Sequence, residues 1–438
     1  MIQRLLHTEL AAWLNNRDES RNVLLLEGAR QVGKTTLVRA VADDVDRPMV
    51  YINLEEQRRI RAEIELLVEF SDFERYLSHT FGFSGDGSKI LCIDEAQECP
   101  VIGSFVRFMK EQWHATPVVL TGSSMTRIFK NTQRFPVGRV RRMLLQPYSF
   151  REFLRAANQE SLLEIPDPLS VPEYQHTRLL RKLQDFCDVG GLPGIVSEFV
   201  SGNDWRQTRQ DLFLDYKDDF IRIFSEEKAG LFDACLRGVS SNLGHPSLYS
   251  QMVKTSSPLY RKVPDFLTLL EHWKIIHMAT VHSPDPKTQQ YAPKRYLYDI
   301  GMAAHLRLTA LPRIDILDQI DANQRQPLGG LAENLLATEM IGARQELHAW
   351  KQAQNSFEVD FVYKSSSGET IPVECKASLK TKSSHTEGLA AYCLRHGVNR
   401  ALLVNFAPPA RWKNNAGITM TSLPLYMAER IPEIADLQ

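Results

Sequence analysis

Short unbroken apolar runs recur in the first third of the chain: Val23–Leu26, Ile90–Ile93 and Val118–Leu120. Each is bounded by polar or glycine-containing sequence, the pattern of strands buried on both faces. After the first run LVRAVA (37–42) switches to helical spacing. From 151 to 230 the rhythm is helical throughout, as in LLRKLQDFCDVG and DLFLDYKDDFIRIF, with polar connections. Three more helical stretches follow: LFDACLRGVSSNLG, PSLYSQMV and SPLYRKVPDFLTLLEHWKII, the last interrupted by Pro264. Two strand-like runs come next, HMATVHS and QYAPKRYLYDIG, separated by PDPKTQQ. The final part reads as a helix (GGLAENLLATEMIGARQ), three strands (LHAWK, FEVDFVYK, ETIPVECKAS), a helix (HTEGLAAYCLRHG) and a strand (RALLVNF). The expected divisions are 1–150, 151–230, 231–310 and 311–438, in an α/β chain.

Composition narrows this little. A chain of 438 residues, 43% hydrophobic and 24% charged, is ordinary for two to four soluble domains. The net charge of -1 means that any nucleic-acid contact must come from local patches. Six scattered cysteines form no CxxC pair, which argues against a zinc knuckle or a disulfide framework. The first twenty residues lack a signal-peptide pattern, and no apolar stretch approaches the roughly 20 residues of a membrane span. A cytoplasmic protein without a membrane partner is the expectation.

The chemistry begins directly after the first strand. GARQVGKTT, Gly28 to Thr36, sits between strand and helix, the setting a P-loop requires. Backbone N–H groups of Gly28, Ala29, Arg30, Gln31, Val32 and Gly33 would cradle phosphates at the helix N-terminus, beside Thr36. Lys34 would reach the β- and γ-phosphates of ATP, and Thr35 would hold Mg2+. The second run ends in Asp94-Glu95. There Asp94 would join the Mg2+ shell and Glu95 would polarise the attacking water, which points to hydrolysis. The third run ends in Thr121-Gly122-Ser123-Ser124, and Ser123 is favoured as the polar side chain beside the γ-phosphate.

Arg127 to Arg151 then carries seven Lys/Arg and no acid. Two readings stand: a solvated basic face, or arginines that meet the phosphates of ATP or nucleic acid. Arg139 is the candidate γ-phosphate arginine, acting within the chain or on a neighbouring copy.

GARQVGKTT, CIDEAQECP, TGSS, the Gly138-Arg139 pair and QPYSFREFL together resemble a family of bacterial and archaeal AAA-type ATPases. These belong to the archaeal-ATPase and STAND-like branch of P-loop proteins. The resemblance implies a P-loop AAA-type core, a helical lid, a winged helix-turn-helix and a restriction-endonuclease-like C-terminal domain. Gly190-Gly191-Leu192-Pro193 resembles that branch's Gly-Gly-x-Pro, and YLYDIG (296–301) its junction after the wing. Three helices and a hairpin in 231–310 suit a winged helix. Arg261, Lys262, Lys294 and Arg295 would contact DNA phosphates. The alternative is a winged helix that only packs between domains. Family members work as rings or stay monomeric until triggered, so the oligomeric state is left open.

The C-terminal αβββαβ order resembles the PD-(D/E)xK fold. Side chains alternate along a strand, so Glu374 and Lys376 share a face. A hairpin can bring Asp360 to that same face, with Glu333 on the helix before it. Three acids and a lysine form a hard-oxygen site suited to Mg2+, with Mn2+ as a substitute. Catalysis there would use Asp360, Glu374 and Lys376, with Glu333, Asp360 and Glu374 as metal ligands. Val359 stands where the motif has Pro. Gly388 stands where DNA-end-processing relatives have Gln, although Tyr392 remains. The plain alternative is a buried ion pair without chemistry. Two functions follow. One is an ATP-hydrolysing, DNA-binding protein with a metal-dependent nuclease-like domain. The other is an ATP-driven switch or scaffold whose nuclease-like domain is inactive and only binds nucleic acid or protein.

Overall fold

Five strands form a parallel sheet because each is buried along its length or lies at an edge. They are β1 (Val23–Glu27), β2 (Met49–Asn53), β3 (Ile90–Asp94), β4 (Val118–Gly122) and β5 (Val140–Leu144), in the order β2-β3-β4-β1-β5. Every residue of β1, β3 and β4 is buried, as unbroken apolar runs require. This computed structural model describes residues 2–16, 18, 22–113, 115–123, 138–226, 229–252, 261–283, 291–307, 311–352 and 357–436. Ser124, Arg127, Lys130 and Arg134 lie outside them.

Contact density separates two units: residues 1–146 with 272–274, and 147–271 with 275–438. In the first, helices Arg58–Glu65, Phe70–Phe81 and Val101–Gln112 help cover the sheet. Phe70, Phe73, Phe105 and Trp113 pack together with the buried strand residues. Part of the basic stretch after β4 is described. β5 is an edge strand, and Arg139, Arg141 and Arg142 pair with Glu111, Glu9 and Glu27.

The second unit opens with helices from Phe150–Ala156 to Trp205–Phe224. Ser149 and Glu152 form a capping box that fixes the start of the first. Helices Ala229–Ser241, Tyr249–Met252 and Val263–His272 precede an antiparallel pair, β6 (Ile276–His282) and β7 (Lys294–Leu297). β6 then pairs in parallel with β8 (His348–Lys351), which pairs with β9 (Glu358–Val359). The hairpin and the C-terminal segment therefore share one sheet, which is why contact density groups them.

The C-terminal segment keeps the expected order as far as strand Arg400–Asn405, but its second strand is split and two strands that were not expected follow. The chain leaves β9 at Asp360 and re-forms as β10 (Phe361–Lys364), which pairs with β11 (Thr370–Cys375). β11 lies parallel to β12 (Arg400–Asn405), followed in the sheet by β14 (Thr419–Pro424) and β13 (Ala410–Lys413). Helix Ala322–Gly342 starts earlier than its apolar pattern indicates, with Pro327 inside it. Among the described residues no helix is long and apolar enough to cross a membrane.

Two motifs singled out in the sequence meet here. Asp299, buried, accepts the Gly191 N–H at 2.7 Å and the Met302 N–H at 2.7 Å. It thereby caps helix Ile300–Arg307 and anchors the Gly-Gly turn with one carboxylate.

Candidate functional site

The phosphate loop leaves the C-terminal end of β1, where ligands of parallel sheets bind. Gly33 takes φ 92° directly before helix Lys34–Asp44, a left-handed conformation that suits glycine. Lys34 is buried and folds back on its own loop, donating to Gly28 O at 3.0 Å and Ala29 O at 2.9 Å. Burial pushes its ammonium down, opposed by Glu95 and Asp94. Ala29 and Val32 are buried, Thr36 is exposed, and Arg30 pairs with Glu55 at 3.6 Å.

Asp94 ends β3, with four donors on its carboxylate. Thr35 Oγ1 and Thr121 Oγ1 donate to Oδ2 and Oδ1 respectively. Tyr51 O–H donates to Oδ2 at 2.6 Å, and the Glu95 N–H donates to Oδ1 at 3.0 Å. Burial pushes Asp94 up, but these hydrogen bonds win and hold it below its usual range. Glu95, with φ 49°, is pushed up by burial, offset by Lys34 and by the hydrogen bond from Gln97. A hydroxyl and a carboxylate from Thr35 and Asp94 make a hard-oxygen pair of the kind Mg2+ takes.

Ser123 is buried just beyond β4, while Thr121, two residues earlier, reaches Asp94. Arg139 corrects one expectation. Val23 pairs with Val140, and the Val23 N–H donates to Arg139 O at 3.0 Å. Arg139 therefore lies at the N-terminal edge of the sheet, while the phosphate loop follows the other end of the five-residue strand β1. At about 3.3 Å per residue that is roughly 16 Å, too far for Arg139 to serve its own chain's loop.

The C-terminal acids converge, but not around an open space. Glu333, Asp360 and Glu374 are all buried. Lys376 Nζ donates to Glu374 Oε1. The Asp360 N–H donates to Glu374 Oε2 at 3.3 Å, and the Cys375 N–H to Asp360 Oδ2 at 3.0 Å. In their midst sits Lys294 from β7, fully buried. Its Nζ is 3.0 Å from Glu333 Oε1, 2.9 Å from Glu358 Oε1 and 2.9 Å from Asp360 Oδ1. Tyr296 O–H donates to Glu333 Oε1 at 2.6 Å.

This corrects the reading of Lys294 and Arg295 as DNA-facing residues. Both are buried, and Arg295 donates to Ser247 O at 3.1 Å. Arg261 and Lys262 are exposed, just before helix Val263–His272. Among the described residues no three of His, Cys, Asp and Glu are arranged to hold a metal ion.

Burial and the neighbouring Asp360 push Glu333 up, and the same two causes push Glu374 up to about 8. Burial would raise Asp360 too, but Lys294 and Lys376 outweigh it and hold that carboxyl down. For Lys294, burial is outweighed by Asp360 and Glu333, which keep the ammonium charged.

The Gly at 388 has a steric reason. A Cβ there would lie 2.2 Å from Glu358 O, so helix Glu387–His396 approaches β9 too closely for a side chain. Tyr392 O–H donates to Thr370 Oγ1 at 3.0 Å. Sequence reasoning missed Tyr51, Thr121, Lys294, Tyr296 and Glu358. The alternation of β7 was the only signal for the last lysine–tyrosine pair, because residues 294 and 296 share a face.

The comparisons with known proteins follow the same division. Residues 20–154 match a family described as an AAA domain. The class defined by fold and loop is thus an AAA-type P-loop ATPase domain, carried by the first part of this chain. Residues 180–313 and 328–426 match two families described as domains of unknown function, DUF8612 and DUF4143. No curated protein matches the chain. Among solved structures, the Aeropyrum pernix ORC2 protein in ADPNP-ADP complexes is 14% identical. The match covers 67% of this chain and 90% of that one, with a TM-score of 0.29. A likeness that loose carries no argument here.

Proposed function

We propose that this chain is an ATP-driven conformational switch whose nuclease-like C-terminal segment does not cut in the arrangement described. The observation that carries the ATPase half is the convergence of Lys34, Thr35, Asp94 and Glu95 at the end of β1 and β3. Loop N–H groups from Gly28 to Gly33 bind the phosphates. Lys34 exchanges its two loop carbonyls for phosphate oxygens, a swap that keeps its buried charge satisfied. Thr35 and Asp94 would hold Mg2+, which when bound neutralises charge on the phosphates. Glu95 accepts a proton from the attacking water, a role that its raised pKa suits. Ser123 lies beside the γ-phosphate, and Arg139 acts on a neighbouring copy.

The test is steady-state ATP turnover of wild type, Lys34→Ala and Glu95→Gln. Undiminished turnover in Lys34→Ala would sink this reading. The non-cutting half is supported by the buried Lys294 among the acids.

A second reading has its own support. Asp360, Glu374 and Lys376 meet through hydrogen bonds, and Glu333 reaches Asp360 through the shared Lys294. In that reading a winged helix-turn-helix in 231–310 brings DNA through the exposed Arg261 and Lys262. Cleavage of single-stranded, double-stranded or branched DNA in Mg2+ or Mn2+, lost in Asp360→Ala, would establish it.

A further inference from the structure

A nuclease-like site implies a divalent cation between Glu333, Asp360 and Glu374, and the residues as arranged do not fit one. Lys294 has three N–H donors and no acceptor, and three carboxylates take them. The oxygens it uses are the ones a hard cation would need. The rest of the same segment closes the site. Tyr296 lies on the same face of β7 and covers Glu333 Oε1. Gly244, at φ +79°, leaves no room for a side chain beside the other oxygen, since a Cβ there would lie 2.4 Å from Glu333 Oε2.

The charge balance separates this site from an ordinary structural ion pair. Four carboxylates gather here: Glu333, Glu358, Asp360 and Glu374. Three ammoniums face them: Lys294, Lys376, and Lys351 on Glu358 Oε2 at 3.0 Å. Here the carboxyl groups outnumber the ammoniums by one.

We infer that Lys294 is the resident cation of the C-terminal acidic site, and that a divalent, oxygen-seeking ion is its alternative there. With Lys294 in place the site takes no metal; with Lys294 withdrawn it becomes a metal site. This rests on the non-cutting reading above and says how the site is kept silent.

The test measures Mn2+ binding by electron paramagnetic resonance on the nucleotide-free full chain. Wild type, Asp360→Asn, Lys294→Ala and the double variant are compared. Manganese lost on adding Asp360→Asn is the manganese of this site, whatever binds near Asp94. Wild type and Asp360→Asn should bind equally, while Lys294→Ala should bind one more ion per chain than the double variant. Asp360-dependent manganese in wild type would overturn the inference, as would a folded Lys294→Ala that gains none.

Should Lys294→Ala be too unstable to assay, its melting temperature is read against manganese. A rise that Asp360→Asn abolishes supports the inference, and no rise counts against it. DNA cleavage in Mn2+ is followed in the same wild-type sample. Cleavage that Asp360→Asn abolishes would sink the non-cutting reading, whereas a folded Lys294→Ala that gains no manganese while wild type stays inert would sink this inference alone.

Discussion

The phosphate-loop site and the C-terminal acidic site use the same parts: a buried aspartate at a strand end, a glutamate near it and a buried lysine. They differ in who donates to the aspartate. Asp94 receives neutral donors, the hydroxyls of Thr35, Tyr51 and Thr121 and the Glu95 N–H. They fix the carboxylate without cancelling its charge, and Lys34 is held on loop carbonyls instead. Asp360 receives an ammonium, so its charge is already answered. Neutral donors leave a site ready for a cation. A charged donor fills it.

Lys34→Ala and Glu95→Gln test the first half of this contrast most severely. ATP turnover should fall by roughly 10²- to 10⁴-fold in Glu95→Gln, the usual contribution of a positioned general base. Lys34→Ala should lose at least as much while its denaturant midpoint stays close to wild type. Lys294→Ala should do the reverse. Breaking a buried ion pair costs about 3–5 kcal/mol, so its denaturant midpoint should drop sharply. If Lys34→Ala were the more destabilising of the two, the contrast would be broken.

Smaller effects sharpen it. Gly388→Gln forces a side chain against Glu358 O and should cost about 1–3 kcal/mol, as overpacking does. A stable Gly388→Gln protein would show that the helix can retreat from β9. Tyr51→Phe removes one of several donors to Asp94 and should cost about 1–2 kcal/mol in thermal unfolding, with ATP still bound. Arg139→Ala breaks an exposed pair with Glu111 and should barely move the denaturant midpoint. Dilute enzyme should turn over ATP unchanged; a loss confined to concentrations at which chains associate would place Arg139 in a neighbour's site.

Much of the first site was legible because its parts are local. Gly28 to Thr36 is one contiguous stretch, and β3 delivers Asp94 and Glu95 together. Tyr51 and Thr121 escaped notice because each sits in a strand whose side chains alternate, and only the order β2-β3-β4 puts them on either side of Asp94. In the C-terminal segment, alternation in β11 correctly brought Glu374 and Lys376 together. Nothing in the local pattern said that the strand would split at Asp360 and join two sheets.

Lys294 shows where the boundary falls. The sequence determined that residues 294 and 296 share a face of a strand, because alternation is a property of the backbone. It equally determined the phosphate loop, because glycines and a helix start need only near neighbours. The destination of that strand face, solvent and DNA or a buried acidic cluster, was decided by tertiary structure. β6 pairs with β7 on one side and β8 on the other, carrying the lysine to acids 39 and 66 residues further along the chain. A charge selects its partner through space, and no window of sequence contains that distance.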